Sequence, residues 1–218
     1  MKELYRGDRY NKGTELIAGL NDYVLNGEAK NQANLFFFSD SYNEAVEYAT
    51  TAMNSQIRTT EATNPTVTTV NADTTNLLDL TQYGHSVTLV EAYKILSRLN
   101  GAPLTFTECA KFGLFGTGKL ATLNDKSNRF HEVTTKECEE LFAVMTGAKK
   151  DKRECMFGFV DLSNFDCGVF FKEWLQENGY NGYSFIDRAN MTNDTHYAFI
   201  NPSAVQIVSQ TELELEVA

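Results

Sequence analysis

No stretch of this chain approaches the roughly 18 consecutive apolar residues that cross a bilayer. Its first ten residues, MKELYRGDRY, hold no apolar segment behind their charges. The pattern predicts neither a signal peptide nor a membrane-embedded segment, and so a soluble, cytoplasmic protein. Cysteine is scarce and dispersed: Cys109, Cys138, Cys155 and Cys167 form no CxxC pair. Zinc or dithiol chemistry therefore has no sequence support, and free buried thiols are the plain expectation. His85, His131 and His196 stand far apart, without HExxH or any paired-ligand spacing, so no metal is expected. No GxSxG elbow or cysteine-protease signature is present, which removes support for a serine or cysteine hydrolase. Positive charge is in the minority, with 19 Lys and Arg against 29 Asp and Glu and a formal net charge of -10. That balance argues against DNA, RNA or anionic lipid as a partner, because phosphates reward clustered cations. A basic protein surface suits it better.

What is present has ordinary globular proportions, 42% hydrophobic and 22% charged over 218 residues. This is enough for one domain with a buried core. Strands are expected at Leu4–Arg6, Leu35–Phe38, Val67–Asn71, Met156–Val160, Tyr183–Asp187, His196–Ile200 and Val205–Val208, with a short apolar segment through Leu77, Leu78 and Leu80. The aromatic run Leu35–Phe38 reads as a strand buried on both faces. A short helix is expected near Thr14–Leu25. Another follows the apparent capping box Ser41-Tyr42-Asn43-Glu44, with Ala45, Tyr48, Ala49 and Ala52 on one face. Further helices are expected from Val87 to Leu99 and from Thr135 to Thr146, the latter opened by Thr134-Thr135-Lys136-Glu137 as a second box. A last helix runs through Phe170, Phe171, Trp174 and Leu175 to a stop at Gly179. Lys149–Arg153 reads as a basic turn, and the alternating tail Glu212–Val217 as an edge strand or a frayed end. The helical middle, about residues 85–150, reads as an insertion between strand-rich ends of a single 1–218 domain.

Gly113-Leu114-Phe115-Gly116-Thr117-Gly118-Lys119 has the glycine and lysine spacing of a phosphate-binding loop. Leu120 then stands where a magnesium-holding Ser or Thr belongs, and no hydrophobic strand feeds the run. It reads as a glycine loop without that function.

The more informative pattern is spread over both ends of the chain. It comprises Leu4-Tyr5-Arg6-Gly7, then Leu35-Phe36-Phe37-Phe38-Ser39-Asp40 leading to Ala45 and Tyr48-Ala49, then Gly179-Tyr180-Asn181-Gly182-Tyr183-Ser184-Phe185-Ile186-Asp187, and last His196-Tyr197-Ala198-Phe199-Ile200-Asn201-Pro202 before Val205-Gln206-Ile207. This order resembles the ADP-ribosyltransferase superfamily, and is similar above all to the small phage anti-CRISPR proteins of that fold. The resemblance covers about residues 3–50 and 165–208.

It implies an α+β domain with a split β-sheet and a cleft for NAD as co-substrate. In that cleft Arg6 and Gly7 would border the dinucleotide, Phe38 and Ser39 would close the aromatic strand beside the nicotinamide ribose, and Tyr48 would stack on the nicotinamide ring. It also implies transfer of ADP-ribose to a protein target, in a phage setting a host or defence complex met in the host cytoplasm. Cleaving nicotinamide from ribose builds positive charge on the sugar, so a fixed carboxylate favours the transition state over the ground state. The family's glutamate position is occupied here by His196. The replacement acids are Asp187, at a strand end, and Asp194, in the turn before His196. Each residue also has a structural reading: Arg6 on the surface, Ser39 in a turn, Tyr48 in the helix's packing face, Asp187 ending a strand, His196 structural. The same fold as a catalytically inactive binding or inhibitor protein, or as an NAD glycohydrolase, are the alternatives.

Overall fold

The computed structural model of this chain describes residues 1–8, 16, 24–25, 28–29, 31–50, 64–116, 135–150, 155–187 and 193–214. In chain order the elements are β1 (Lys2–Asp8), β2 (Val24–Leu25), β3 (Glu28–Ala29), β4 (Phe36–Ser39), α1 (Tyr42–Thr50), β5 (Thr66–Ala72), β6 (Leu78–Asp79), β7 (Ser86–Thr88), α2 (Leu89–Leu99), α3 (Phe106–Lys111), α4 (Thr135–Met145), β8 (Met156–Gly158), α5 (Phe165–Glu177), β9 (Gly182–Asp187), β10 (Asp194–Phe199) and β11 (Val205–Glu212). They form a mixed α+β fold around a seven-stranded sheet of order β11-β5-β1-β4-β10-β9-β6. Every pairing in it is antiparallel except that of β6 with β9.

Strand alternation sends successive side chains to opposite faces, and this chain uses both. Leu35 of the strand's approach, Tyr183, Phe185 and Ala198 join α2, α3, α4 and α5 in the larger core, where Phe112, Phe171 and Trp174 pack together. Leu4, Phe36, Phe38, Val70, Tyr197 and Phe199 form a smaller core on the other face. The aromatic strand is thus buried on both sides, as its unbroken apolar run implies.

The helical middle begins and ends on a clasp, since β7 and β8 pair antiparallel, Ser86 opposite Gly158 and Thr88 opposite Met156. Between them lie α2, α3 and α4, whose Leu96, Cys109 and Leu141 enter the same core as Trp174 of α5. Each of the first two helices opens on a full capping box, Thr88 with Glu91 and Thr105 with Glu108. Two orphan amides are satisfied at each, which is why α2 starts at Leu89 rather than Val87.

Gly113, the first glycine of the loop-like run, ends α3. Its φ of 71° lets Gly113 N–H reach Ala110 O and Leu114 N–H reach Cys109 O, a paired helix-ending motif that favours glycine. Its neighbours Phe112, Leu114 and Phe115 are buried, so packing explains this half of the run. Thr117–Leu120 lies outside the described residues. None of the four cysteines is in a disulfide, and burial pushes Cys109 up to about 12.

Two expectations are corrected. The strand from Met156 stops at Gly158, because Phe159–Ser163 coils into a 3-10 turn that buries Phe159 and Leu162. The expected helix near Thr14–Leu25 does not reach its end, where Val24 and Leu25 pair with Ala29 and Glu28 in a two-stranded ladder. Leu16 packs against the smaller core. Residues 14, 15 and 17–23 lie outside the described residues, as do Ala52, His131, Thr134, Asp151–Arg153 and the tail beyond Glu214. Among the described residues no helix is long and apolar enough to cross a membrane, and no group of three or more His, Cys, Asp or Glu side chains is placed to hold a metal.

Candidate functional site

β1 and β4 pair at a single register position, Tyr5 opposite Ser39, whereas β1 and β5 pair over seven, from Lys2 opposite Ala72 to Asp8 opposite Thr66. Among the described residues the ladder joining β1 to β4 is that one pair long, so the two strands part at a seam in the middle of the sheet. The register line continues across the strands: Ser39 stands opposite His196, and His196 opposite Phe185. The sheet thereby brings four distant segments together at one level.

α1 lies over this line on one face, and its close approach depends on Gly7. A Cβ at that position would fall 1.8 Å from Ala45 O and 2.9 Å from Ala49 N. The buried Ala45 and Ala49 present the smooth helix side that makes the approach possible.

Beneath α1 the sequence signal for a capping box is only half honoured. Glu44 N–H donates to Ser41 Oγ at 3.3 Å, but the Glu44 carboxylate does not return to the Ser41 backbone. Ser41 N–H donates instead to Ser39 Oγ at 3.1 Å. The carboxylate turns inward, where Oε2 accepts the Ser39 hydroxyl and Oε1 lies 2.9 Å from His196 Nε2. Only 1% of the Glu44 side chain reaches the surface, against 8% for His196. Burial alone would lower the His196 pKa. The hydrogen bond to Glu44 and the negative fields of Glu44, Asp187 and Asp194 outweigh burial and hold it above its ordinary value.

The expected site residues divide between the faces. Ser39, Tyr48 and His196 come together: the Tyr48 ring meets the imidazole edge-on at 6.3 Å, and Phe185 lies against it at 5.5 Å. Asp187 and Asp194 stand directly opposite each other two register steps further along, on the same face as His196. Oδ2 of Asp194 is buried and has no hydrogen-bond partner among the described residues.

Arg6 and Phe38 do not join them. Tyr5 touches Tyr42 of α1 and Gly7 faces Ala45, so alternation turns Lys2, Leu4, Arg6 and Asp8 to the opposite face. There Arg6 Nε donates to Asp8 Oδ2 at 3.1 Å. Arg6 thus leaves the sheet on the face opposite Ser39 and Asp187. Arg6 borders the same seam from its far side. Phe38 is taken up by the smaller core, edge-on to Phe199 at 5.8 Å.

Glu44 is the residue that sequence reading missed as a site candidate. The Ser41-x-x-Glu44 spacing explained it locally, and its true partner is 152 residues away in the chain. A second ionic cluster lies on the far face, where Lys2 Nζ meets Asp40 Oδ2 at 3.1 Å and the Tyr197 hydroxyl. Asp40 also binds the Thr195 N–H at 3.0 Å.

This face of the sheet thus offers an imidazole tied to a buried carboxylate, two further carboxylates at the ends of β9 and β10, and an aromatic edge, a set able to hold polar hydroxyls and to stabilise positive charge beside them. Compared with protein-family models, curated proteins and solved structures, the chain matches none.

Proposed function

We propose that the protein is an NAD-dependent ADP-ribosyltransferase that modifies a protein acceptor, and that the face of the sheet under α1 is its reaction site. The observation that carries this reading is the seam. The segments whose order resembles the superfamily lie side by side as β1, β4, β10 and β9, with β1 leaving β4 after one pair at Tyr5 and Ser39. A dinucleotide laid along the seam has Tyr48 and His196 on the α1 face and Arg6 on the other.

Asp187 is the carboxylate assigned to the cationic ribose, because it ends a strand paired along its length and so sits on a rigid platform. Asp194 faces it and is the second choice. The chemical demand on either is a negative charge close to a sugar carbon as its bond to nicotinamide lengthens. The formal charge of -10 favours a basic protein as acceptor.

The burial of the Glu44 and His196 pair favours one other reading, a binding protein that keeps this fold without catalysis, since the family's glutamate position holds an imidazole already engaged. One experiment separates the readings. The protein is incubated with NAD and candidate acceptor lysate, and nicotinamide release and acceptor mass gain are followed, with Asp187→Ala in parallel. Release with mass gain, lost in the variant, is the expected result. Release without mass gain means hydrolysis. No release and no bound NAD leaves the binding protein.

A further inference from the structure

The buried pair under α1 has one unused capacity. Glu44 is spent on both oxygens, one taking the Ser39 hydroxyl and the other facing His196 Nε2. His196 is spent on one ring nitrogen only, and Nδ1 makes no hydrogen bond among the described residues. Of the two side chains the histidine is the one that reaches the surface, 8% against 1%. A ligand on this face therefore meets the imidazole and not the glutamate.

We propose that His196 is the hydrogen-bond donor that this site offers to an oxygen of its ligand, with Glu44 as the positioning residue that holds the ring and its second proton in place. The inference rests on the NAD reading for its ligand, and it assigns position 196 a role opposite to that of a carboxylate: donating to a phosphate oxygen, which can only accept, instead of accepting.

The groups facing the ring are Glu44 and Tyr48 from α1, Ser39 from β4, Phe185 and Asp187 from β9, and Asp194 from its own strand. All the charged members are acids, and none is a base that would compete for the carboxylate. With both ring nitrogens protonated, Nε2–H satisfies Glu44 and Nδ1–H is left to donate. With one proton lost, the remaining proton stays with Glu44 and Nδ1 turns from donor to acceptor.

Ligand binding is therefore linked to the proton on His196. Titrating the protein with NAD and with ADP-ribose, from about pH 6 to about pH 9, is expected to give affinity that falls about tenfold as pH rises through the His196 pKa. In Glu44→Gln the midpoint of that fall moves to lower pH, because the negative charge supporting the imidazolium is gone. A purely structural pin would lower stability and leave ligand affinity with no pH-dependent fall whose midpoint could move. The unmutated protein supplies a check free of folding effects: the His196 ring resonance, titrated with and without saturating ADP-ribose, should show a higher pKa in the complex.

A pH-independent affinity, or a His196 pKa unmoved by ligand, overturns this inference and leaves the NAD reading standing. If neither NAD nor ADP-ribose binds at any pH in the range, the NAD reading fails and takes the inference with it.

Discussion

The two faces of the sheet at β1, β4 and β10 carry similar chemistry in very different surroundings. Under α1, Glu44 and His196 are joined at 2.9 Å with 1% and 8% of their side chains exposed. On the far face, Lys2 and Asp40 are joined at 3.1 Å with 41% and 28% exposed. Both clusters tie the start of one element to β10, since Asp40 also binds Thr195. The difference is solvent. Water screens the outer pair and would hydrate either partner alone, so that pair is worth little. The inner pair has no such refuge, and removing one member leaves the other buried without a partner. The inner face is thus where a single charge weighs most on stability.

Six variants sharpen or break this contrast. The largest effect is expected at Gly7, where a valine side chain would occupy the space of the Ala45 carbonyl. Gly7→Val should cost more than about 4 kcal/mol in urea unfolding, or abolish folding. A mild effect would mean that α1 does not sit on β1 as described. Glu44→Ala should cost about 3–5 kcal/mol, and a loss as small as that from an outer pair would dissolve the distinction between the faces.

Next comes a split in kinetics, measured as NAD cleavage. Asp187→Ala, on the inner face, should lower kcat on the order of 10²-fold, while Arg6→Ala should raise KM and leave kcat nearly unchanged. The reverse split would move the chemistry to the far face. Thermal stability should also decline as pH rises above the ordinary histidine value of 6.5 and through the raised His196 pKa, because the folded state binds that proton more tightly than the unfolded chain. His196→Gln should flatten this slope. Smallest is Lys2→Ala, whose cost should stay below about 1 kcal/mol by chemical denaturation.

Local signals made much of the fold legible. Val67–Asn71 shows its β-branched pattern and lies within β5, and the aromatic run at Leu35–Phe38 shows its double burial. Gly179, with φ of 80°, stops α5 as expected. The boxes at Thr88 and Thr105 carry the Thr-x-x-Glu spacing in the sequence; the first sets the start of α2 two residues past the expected Val87, and the second opens α3, for which no helix is expected above. The site was less legible, and Ser41-x-x-Glu44 shows why. The same spacing that makes boxes at the other two helices yields a half box here, because His196 and Ser39 compete for the carboxylate inside the fold. Arg6 illustrates a second limit. Its place beside Gly7 was clear, but which face it takes depends on strand parity, and that is set by Gly7 facing Ala45.

The outermost strand of the sheet has a consequence for the molecule in solution. β11 runs for eight residues along β5, and its register slips between Ile207 and Ser209, leaving Val208 half in solvent as the extra residue. Such an irregularity twists the rim and breaks the even spacing of its outward amides and carbonyls. A second copy arriving at that rim finds the row interrupted at Val208, which disfavours edge-to-edge pairing along β11.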